Sequence, residues 1–294
     1  MTKLYEQWPF NFGAIHEQNF DKAKIAIAQI PYDATSSFRS NQREGPYEII
    51  DSSRYMDELL DSEGDLVGLH PTDIFTLDEI VVSRDSVKEA MAGVEQALWQ
   101  EVISKNKIPL VLGGEHSITY GIVKALKRKY PDLSVLQFDA HADLINEYEG
   151  SEFSHACVMR RILDLNIPVV QVGIRNMNKE IEKYLAKNKK QAKNIHFAPG
   201  VPSLSKILSG LSRNVYLTFD LDALDPSIMP AVGTPEPGGL FWNETTKAIE
   251  AISKKVNIVG ADVVELCPIS GFEAPNFLAA KLVYKIIINI LAGK

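Results

Sequence analysis

The chain is poor in cysteine, with two among 294 residues, Cys157 and Cys267. Two thiols so far apart build neither a disulfide framework nor a CxxC metal site. The pattern predicts a reducing compartment, the cytoplasm, with both cysteines as packing residues. Positive charge is also short. Lys and Arg number 31 against 38 Asp and Glu, a formal net charge of −7, which argues against nucleic acid or an anionic membrane as partner. The N-terminal MTKLYEQWPFNFG carries no apolar run of signal-peptide length. The most apolar stretch, 277–291, is broken by Lys281 and Lys285 and falls short of a spanning helix. It reads as a buried C-terminal helix. Internal repeats, low-complexity tracts and linkers are missing as well. What remains is an ordinary globular composition, 45% hydrophobic and 23% charged, expected to fold as a single domain over 1–294.

Short apolar, β-branched runs alternate with longer helix-like patterns. Strands are expected at 24–30, 109–112, 134–138, 169–172, 194–197, 215–219 and 257–264, and helices at 45–60, 87–104, 118–129, 156–165, 179–186, 203–211, 245–254 and 276–292. Most of the strand runs are apolar throughout rather than alternating, as strands covered on both faces must be. Such alternation predicts βαβ units around a mostly parallel sheet, an α/β fold. The Lys-rich 183–193 reads as a solvated helix end and loop. Segment 226–239 holds four prolines and three glycines and is too irregular for a regular element.

Chemistry concentrates where strands are expected to end. In LVLGGEHSITYG, two glycines turn the chain before Glu115, His116 and Ser117. In VLQFDAHADL, Asp139, His141 and Asp143 follow the strand at i, i+2 and i+4, which an extended segment points to one face. In VYLTFDLDALDP, Asp220 and Asp222 share a face in the same way, and Asp225 before Pro226 reads as a turn former. Ligand sites of open parallel sheets lie beyond the carboxyl ends of the strands. Four carboxylates gathered there repel one another and hold protons unless a cation compensates. Two divalent ions about 3.5–4 Å apart supply that charge. Oxygen-rich ligation with a minority of imidazole suits Mn²⁺, with other divalent metals also able to bind.

The blocks GGEHS, FDAHAD, SHACVMRR, TFDLDALDPSIMPAVGTPEPGG and DVVELCP, in this order, resemble the signature blocks of the ureohydrolase family of arginases, agmatinases and their relatives. The N-terminal IPYDATSSFRSNQREGP resembles the agmatinase-type members. The resemblance implies a three-layer α/β/α arginase-like fold and an amidinohydrolase with two Mn²⁺ ions per subunit. One ion would be held by His116, Asp139, Asp143 and Asp220, the other by Asp139, His141, Asp220 and Asp222. It further implies a homo-oligomer, a trimer or hexamer.

By the same resemblance, a metal-bridging hydroxide attacks the guanidinium carbon, Asp143 orients it by a hydrogen bond, and His155 shuttles the proton that the leaving amine needs. Glu265 would bind the guanidinium through paired hydrogen bonds, with Asp262 in support. Leu144 and Ile145 stand where arginases present polar residues, which disfavours arginine. The loop 146–154 carries Glu147, Glu149 and Glu152 and no base, an acidic rim that would favour a small cationic guanidino substrate. The expectation is agmatine and water to putrescine and urea, a polyamine-forming step, with aminopropylagmatine or guanidinobutyrate as alternatives. A non-catalytic homologue finds no support, since every ligand position is filled. A metal-dependent deacetylase is disfavoured by the same motifs.

Overall fold

The computed structural model describes residues 8–56, 70–83 and 85–293. Its strands are β1 (Ile25–Ile30), β2 (Ile74–Glu79), β3 (Ile108–Gly113), β4 (Leu133–Phe138), β5 (Val169–Ile174), β6 (Ile195–Phe197), β7 (Asn214–Asp220) and β8 (Asn257–Val264). They form one sheet in the order β2-β1-β3-β8-β7-β4-β5-β6, and every pairing is parallel. The fold is thus the expected α/β architecture. Strands β1, β3, β4 and β5 are buried along their whole length, which is why they read as unbroken apolar runs.

Strand β2 escapes the sequence reading. It lies at the sheet edge beside β1 alone, only Ile74 of IFTLDE is buried, and its end carries Asp78 and Glu79. An edge strand needs no continuous apolar run, and charge there discourages further pairing.

Helices cover both faces. On one side lie α1 (Gly45–Ser53), α7 (Leu204–Leu208), α8 (Trp242–Ser253) and α9 (Ala274–Ala292). On the other lie α2 (Val87–Leu98), α3 (Thr119–Lys127), α4 (Val158–Asp164) and α5 (Lys179–Lys187). The expected helix over 45–60 ends at Ser53 with Arg54 as its cap, and 57–60 lie outside the described residues. The expected 87–104 helix is α2 followed by a wider π-helical turn, Trp99–Ile103. The Lys-rich 183–193 does more than end a helix: it contains α6 (Lys189–Lys193), which buries Gln191. Helix α9 alone among the described helices is long and apolar enough to cross a membrane. Its Leu282, Val283, Ile286 and Ile287 are instead packed into the core against α1, α8 and β8.

The double glycine after β3 joins fold and site. Gly114 donates to Ile30 O at 3.0 Å and accepts from the Glu265 N–H at 2.8 Å, while Glu115 N–H reaches Tyr32 O at 2.7 Å. These bonds stitch the ends of β1, β3 and β8 together. A Cβ on Gly114 would stand 2.0 Å from the Tyr32 carbonyl oxygen, a backbone atom that cannot swing away. Gly114→Ala is therefore expected to destabilise the protein by about 3 kcal/mol or more, read as a lowered thermal midpoint. An unchanged melt would show that the turn relaxes freely.

Candidate metal centre

The expected donors emerge from the carboxyl ends of adjacent strands. His116 opens a 3₁₀ turn (His116–Ile118) after β3, Asp139 follows β4, Asp220 ends β7, and Glu265 follows β8. In the sheet these strands are neighbours, β3-β8-β7-β4. Residues far apart in sequence therefore share one floor.

His116 is buried, and its Nδ1 faces three carboxylates: Asp139 Oδ2 at 3.1 Å, Asp143 Oδ2 at 3.2 Å and Asp220 Oδ2 at 3.3 Å. Its Nε2 meets Thr218 Oγ1 at 2.8 Å, whereas Nδ1 has no hydrogen-bond partner. A buried ring nitrogen without a bond, ringed by carboxylate oxygens, is an arrangement that a cation resolves. His141 Nδ1 lies 2.8 Å from Asp222 Oδ2 and 3.6 Å from Asp139 Oδ1. Among the described residues, two groups have donor atoms within 4.8 Å of one another: His116, Asp139 and Asp220, and Asp139, His141 and Asp222. Asp139 belongs to both. The donor set fits divalent metal.

Simple alternation accounts for part of this convergence. Asp143 has φ 51° and Glu265 φ 68°, left-handed values for residues that are not glycine. Each such conformation costs on the order of 1 kcal/mol or more, and both side chains line the cavity. After Asp220 the chain turns into a 3₁₀ segment, Leu221–Ala223, with Asp222 N–H donating to Asp220 Oδ1 at 2.8 Å. Asp220 and Asp222 therefore meet the site across a turn rather than along an extended face.

Asp139 is held from behind by a chain of buried amides. Gln137 Nε2 donates to Asp139 Oδ2 at 2.5 Å, Gln171 Nε2 to Gln137 Oε1 at 2.5 Å, and Gln191 Nε2 to Gln171 Oε1 at 2.9 Å. Sequence reasoning missed this chain, because three glutamines spread over β4, β5 and α6 carry no local signature.

Charge in the cluster is strongly redistributed. Burial lifts Asp143 to about 6, helped by the charge of Asp139. Burial also lifts Asp220, with Asp222 and Asp139 adding repulsion, and lifts Asp222 beside Asp139. Asp139 moves the other way: against the cost of burial, the close imidazoles of His116 and His141 and their charge hold it below the carboxylate range. Burial would lower His141, but Asp222 and Asp139 push it up to about 12. His116 is raised in the same sense by Asp139, Asp143 and Asp220 against the cost of its burial.

The cluster floors a cavity of about 300 Å³ that His155, Glu265, Ile145 and Tyr148 also line. Glu265 Oε1 accepts the His116 N–H at 2.7 Å and Oε2 accepts Gln42 Nε2 at 3.1 Å. Burial, with the charge of Glu115 beside it, raises Glu265 to about 8. His155 Nδ1 lies 3.0 Å from Thr35 Oγ1, and its ring sits edge-on to Tyr148 at 5.8 Å. Burial lowers it to about 4, aided by the charges of His116 and His141. Asp262 stands apart from the cavity, buried under the Thr119 and Tyr216 hydroxyls at 2.7 Å and 2.6 Å. Asp225 is a turn former: Ser227 and the Gly238 and Gly239 N–H groups bind it and hold it at about 2. The acidic rim is not where the sequence suggested. Glu147, Glu149 and Glu152 are exposed and line no part of the cavity, and Glu152 lies 3.5 Å from Arg161. That wall is Ile145 and Tyr148, and Arg39 adds a guanidinium to the lining.

A model of the arginase family matches residues 23–289. The N(1)-aminopropylagmatine ureohydrolase of Thermus thermophilus is 36% identical over 275 residues, 91% of this chain and 90% of the relative. The agmatinase of Bacillus cereus is 34% identical over 282 residues, 94% of this chain and 93% of the relative. The solved agmatine ureohydrolase of Thermoplasma volcanium has a TM-score of 0.77 at 30% identity, covering 98% of this chain and 96% of that one.

A cation entering this cluster must displace the protons that His116, His141, Asp143, Asp220 and Asp222 hold at raised pKa. Binding then releases protons, so affinity rises with pH. Titration with Mn²⁺ is expected to give a tighter Kd at pH 8 than at pH 6 and to raise the thermal midpoint. Equal affinity at both pH values would rule out this linkage.

Proposed function

The chain belongs to the arginase family, and from that premise we propose that it is a dimanganese amidinohydrolase that converts agmatine and water to putrescine and urea. One observation carries the reading: the unpartnered, buried Nδ1 of His116 faces three carboxylates on the floor of a cavity that also presents Glu265 and His155. His116, Asp139, Asp143 and Asp220 would hold one ion, and Asp139, His141, Asp220 and Asp222 the other. When bound, divalent cations supply the Lewis acidity that makes water a competent nucleophile at neutral pH.

The chain's own residues do the rest. Glu265 binds the guanidinium. A carboxylate has about four acceptor positions, and the two bonds from His116 and Gln42 leave capacity on both oxygens. A planar guanidinium offers paired N–H donors that match this geometry. Fixing it there aligns its carbon for attack from the floor of the cavity. Asp143 orients the nucleophile through a hydrogen bond. His155, half-buried and low in pKa, is neutral at physiological pH. It takes a proton from the adduct and returns it to the leaving amine as the C–N bond breaks.

A second reading, aminopropylagmatine as substrate, is favoured by the relatives in Thermus thermophilus and Synechocystis, 36% and 34% identical, that carry that activity in their names. The outward placement of Glu147, Glu149 and Glu152 removes one argument for a cationic tail, and Arg39 in the lining keeps guanidinobutyrate under test. The proposal extends to a single domain over 1–294 acting in the cytoplasm as a homo-oligomer, trimer or hexamer. The family resemblance supports the assembly, and the gathering of all described strands in one sheet supports the single domain.

Urea release by the manganese-loaded protein should be measured on agmatine, aminopropylagmatine, guanidinobutyrate and arginine. Agmatine is expected to turn over fastest and arginine slowest. Turnover of another guanidine without agmatine would overturn the substrate, and wild-type activity in Asp139→Asn would overturn the metal mechanism. Guanidinium pairing also needs Glu265 ionised. With its pKa raised to about 8, it is increasingly charged as pH rises through that value. kcat/KM is expected to climb from pH 7 to pH 9, and Glu265→Gln to lose that rise. A flat profile would remove Glu265 from this role.

A further inference from the structure

Thr35 and Glu115 lie outside the roles assigned so far, yet Thr35 meets His155 and Glu115 meets Thr35. The Thr35 hydroxyl oxygen has three close neighbours: Glu115 Oε1 at 2.7 Å, His155 Nδ1 at 3.0 Å and the His155 backbone N at 3.1 Å. Glu115 is fully buried and receives two further bonds, from the Thr35 N–H at 2.6 Å and the Ser117 hydroxyl at 2.5 Å. An ionised carboxylate accepts only, and a hydroxyl has one proton and two acceptor positions. The Thr35 proton therefore points at Glu115. Its two acceptor positions face His155, one taken by the backbone N–H. The other is left for the ring, so Nδ1 must be the donor.

We propose that Glu115 and Thr35 form a positioning pair that locks His155 in the Nδ1–H tautomer and makes Nε2 the nitrogen that exchanges protons in the reaction. The inference rests on the reading of His155 as the proton shuttle. A proton taken up at Nε2 leaves an imidazolium whose Nδ1–H is already bonded, through Thr35, to a buried negative charge. That proton passes to the leaving nitrogen as the C–N bond breaks and its electron pair moves onto that nitrogen. The imidazole returns to the neutral tautomer from which it started. A wrong tautomer would present an N–H where a lone pair is needed. The pair also ties the N-terminal segment to the β3 turn: Thr35 is 80 positions from Glu115 and 120 positions from His155.

The test compares Thr35→Val and Thr35→Ser in the manganese-loaded full chain. Valine keeps the shape and removes the hydroxyl. Thr35→Val is expected to lower kcat roughly tenfold to hundredfold, as loss of an orienting partner does, with KM, metal content and thermal midpoint little changed. Thr35→Ser restores the hydroxyl and is expected to stay within about threefold of wild type. Glu115→Gln is expected to lower kcat in the same sense. The tautomer is read directly by ¹⁵N NMR of histidine-labelled protein carrying diamagnetic Zn²⁺. Wild type should show His155 protonated at Nδ1, and Thr35→Val a mixture. Protonation at Nε2 in wild type, or full kcat in Thr35→Val, would overturn the lock. Should Thr35→Val unfold, the wild-type tautomer and the serine variant still decide. Full activity in His155→Asn would overturn the shuttle reading instead, while the tautomer measurement would still judge the lock.

Discussion

Charge compensation governs this molecule. Asp139, Asp143, Asp220 and Asp222 are buried with the His116 imidazole, and the half-buried His141 stands beside them, at the ends of neighbouring strands. Leaving such a set uncompensated in a dry interior is prohibitive. Much of the surrounding structure serves to bring these groups together and keep them there. The parallel sheet aligns the strand ends, and Gly114 lets three of them close on one another. Left-handed backbone at Asp143 and Glu265 aims their carboxylates at the cavity. Backbone strain and buried polarity thus collect at one edge of the sheet, where function rather than stability requires them.

The support behind the donors is as ordered as the donors themselves. Asp139 is oriented by Gln137, which is held by Gln171 and then by Gln191 on α6. His116 is held by Thr218, and His155 by Thr35. Each donor that must present a particular atom is anchored through another. A fully satisfied buried network fixes one geometry, whereas a half-satisfied one would loosen the site it surrounds. This explains why a chain with an ordinary apolar core also buries Gln137, Gln171 and Gln191, which a packing argument alone would keep at the surface.

The sequence made the floor legible and left the walls obscure, for a physical reason. Donor residues follow apolar strands immediately, so DAHAD after VLQF and DLD after VYLTF carry both the element and its chemistry in a few residues. Burial on two faces made six strands readable, and β6 was read at its edge with only Ile195 buried, while β2, half exposed at the opposite edge, was not. The walls come from long-range contacts. Thr35 meets His155 and Glu115, and Gln42 meets Glu265, only because the sheet brings the ends of β1, β3, β4 and β8 to one side. Local spacing also misjudged orientation: the acids at 147, 149 and 152 share a loop with Tyr148, yet only Tyr148 faces the cavity.

This division bears on how such a site changes substrate. On the proposed reading, the guanidinium end would meet groups locked by the sheet: the donor cluster, and Glu265 pinned between the His116 backbone and Gln42. Altering any of them disturbs charge balance as well as recognition. The cavity is also lined by Phe38, Arg39, Ile145, Tyr148 and Met177, from connecting segments rather than from strands. None of these carries the burden of neutralising the cluster, so they can vary without unbalancing it. A fixed floor with a variable mouth keeps the hydrolysis of the guanidinium constant while the tail it accepts is free to differ. On the proposed reading, tail preference would then rest with Phe38, Arg39 and Tyr148 rather than with the motifs that identify the family.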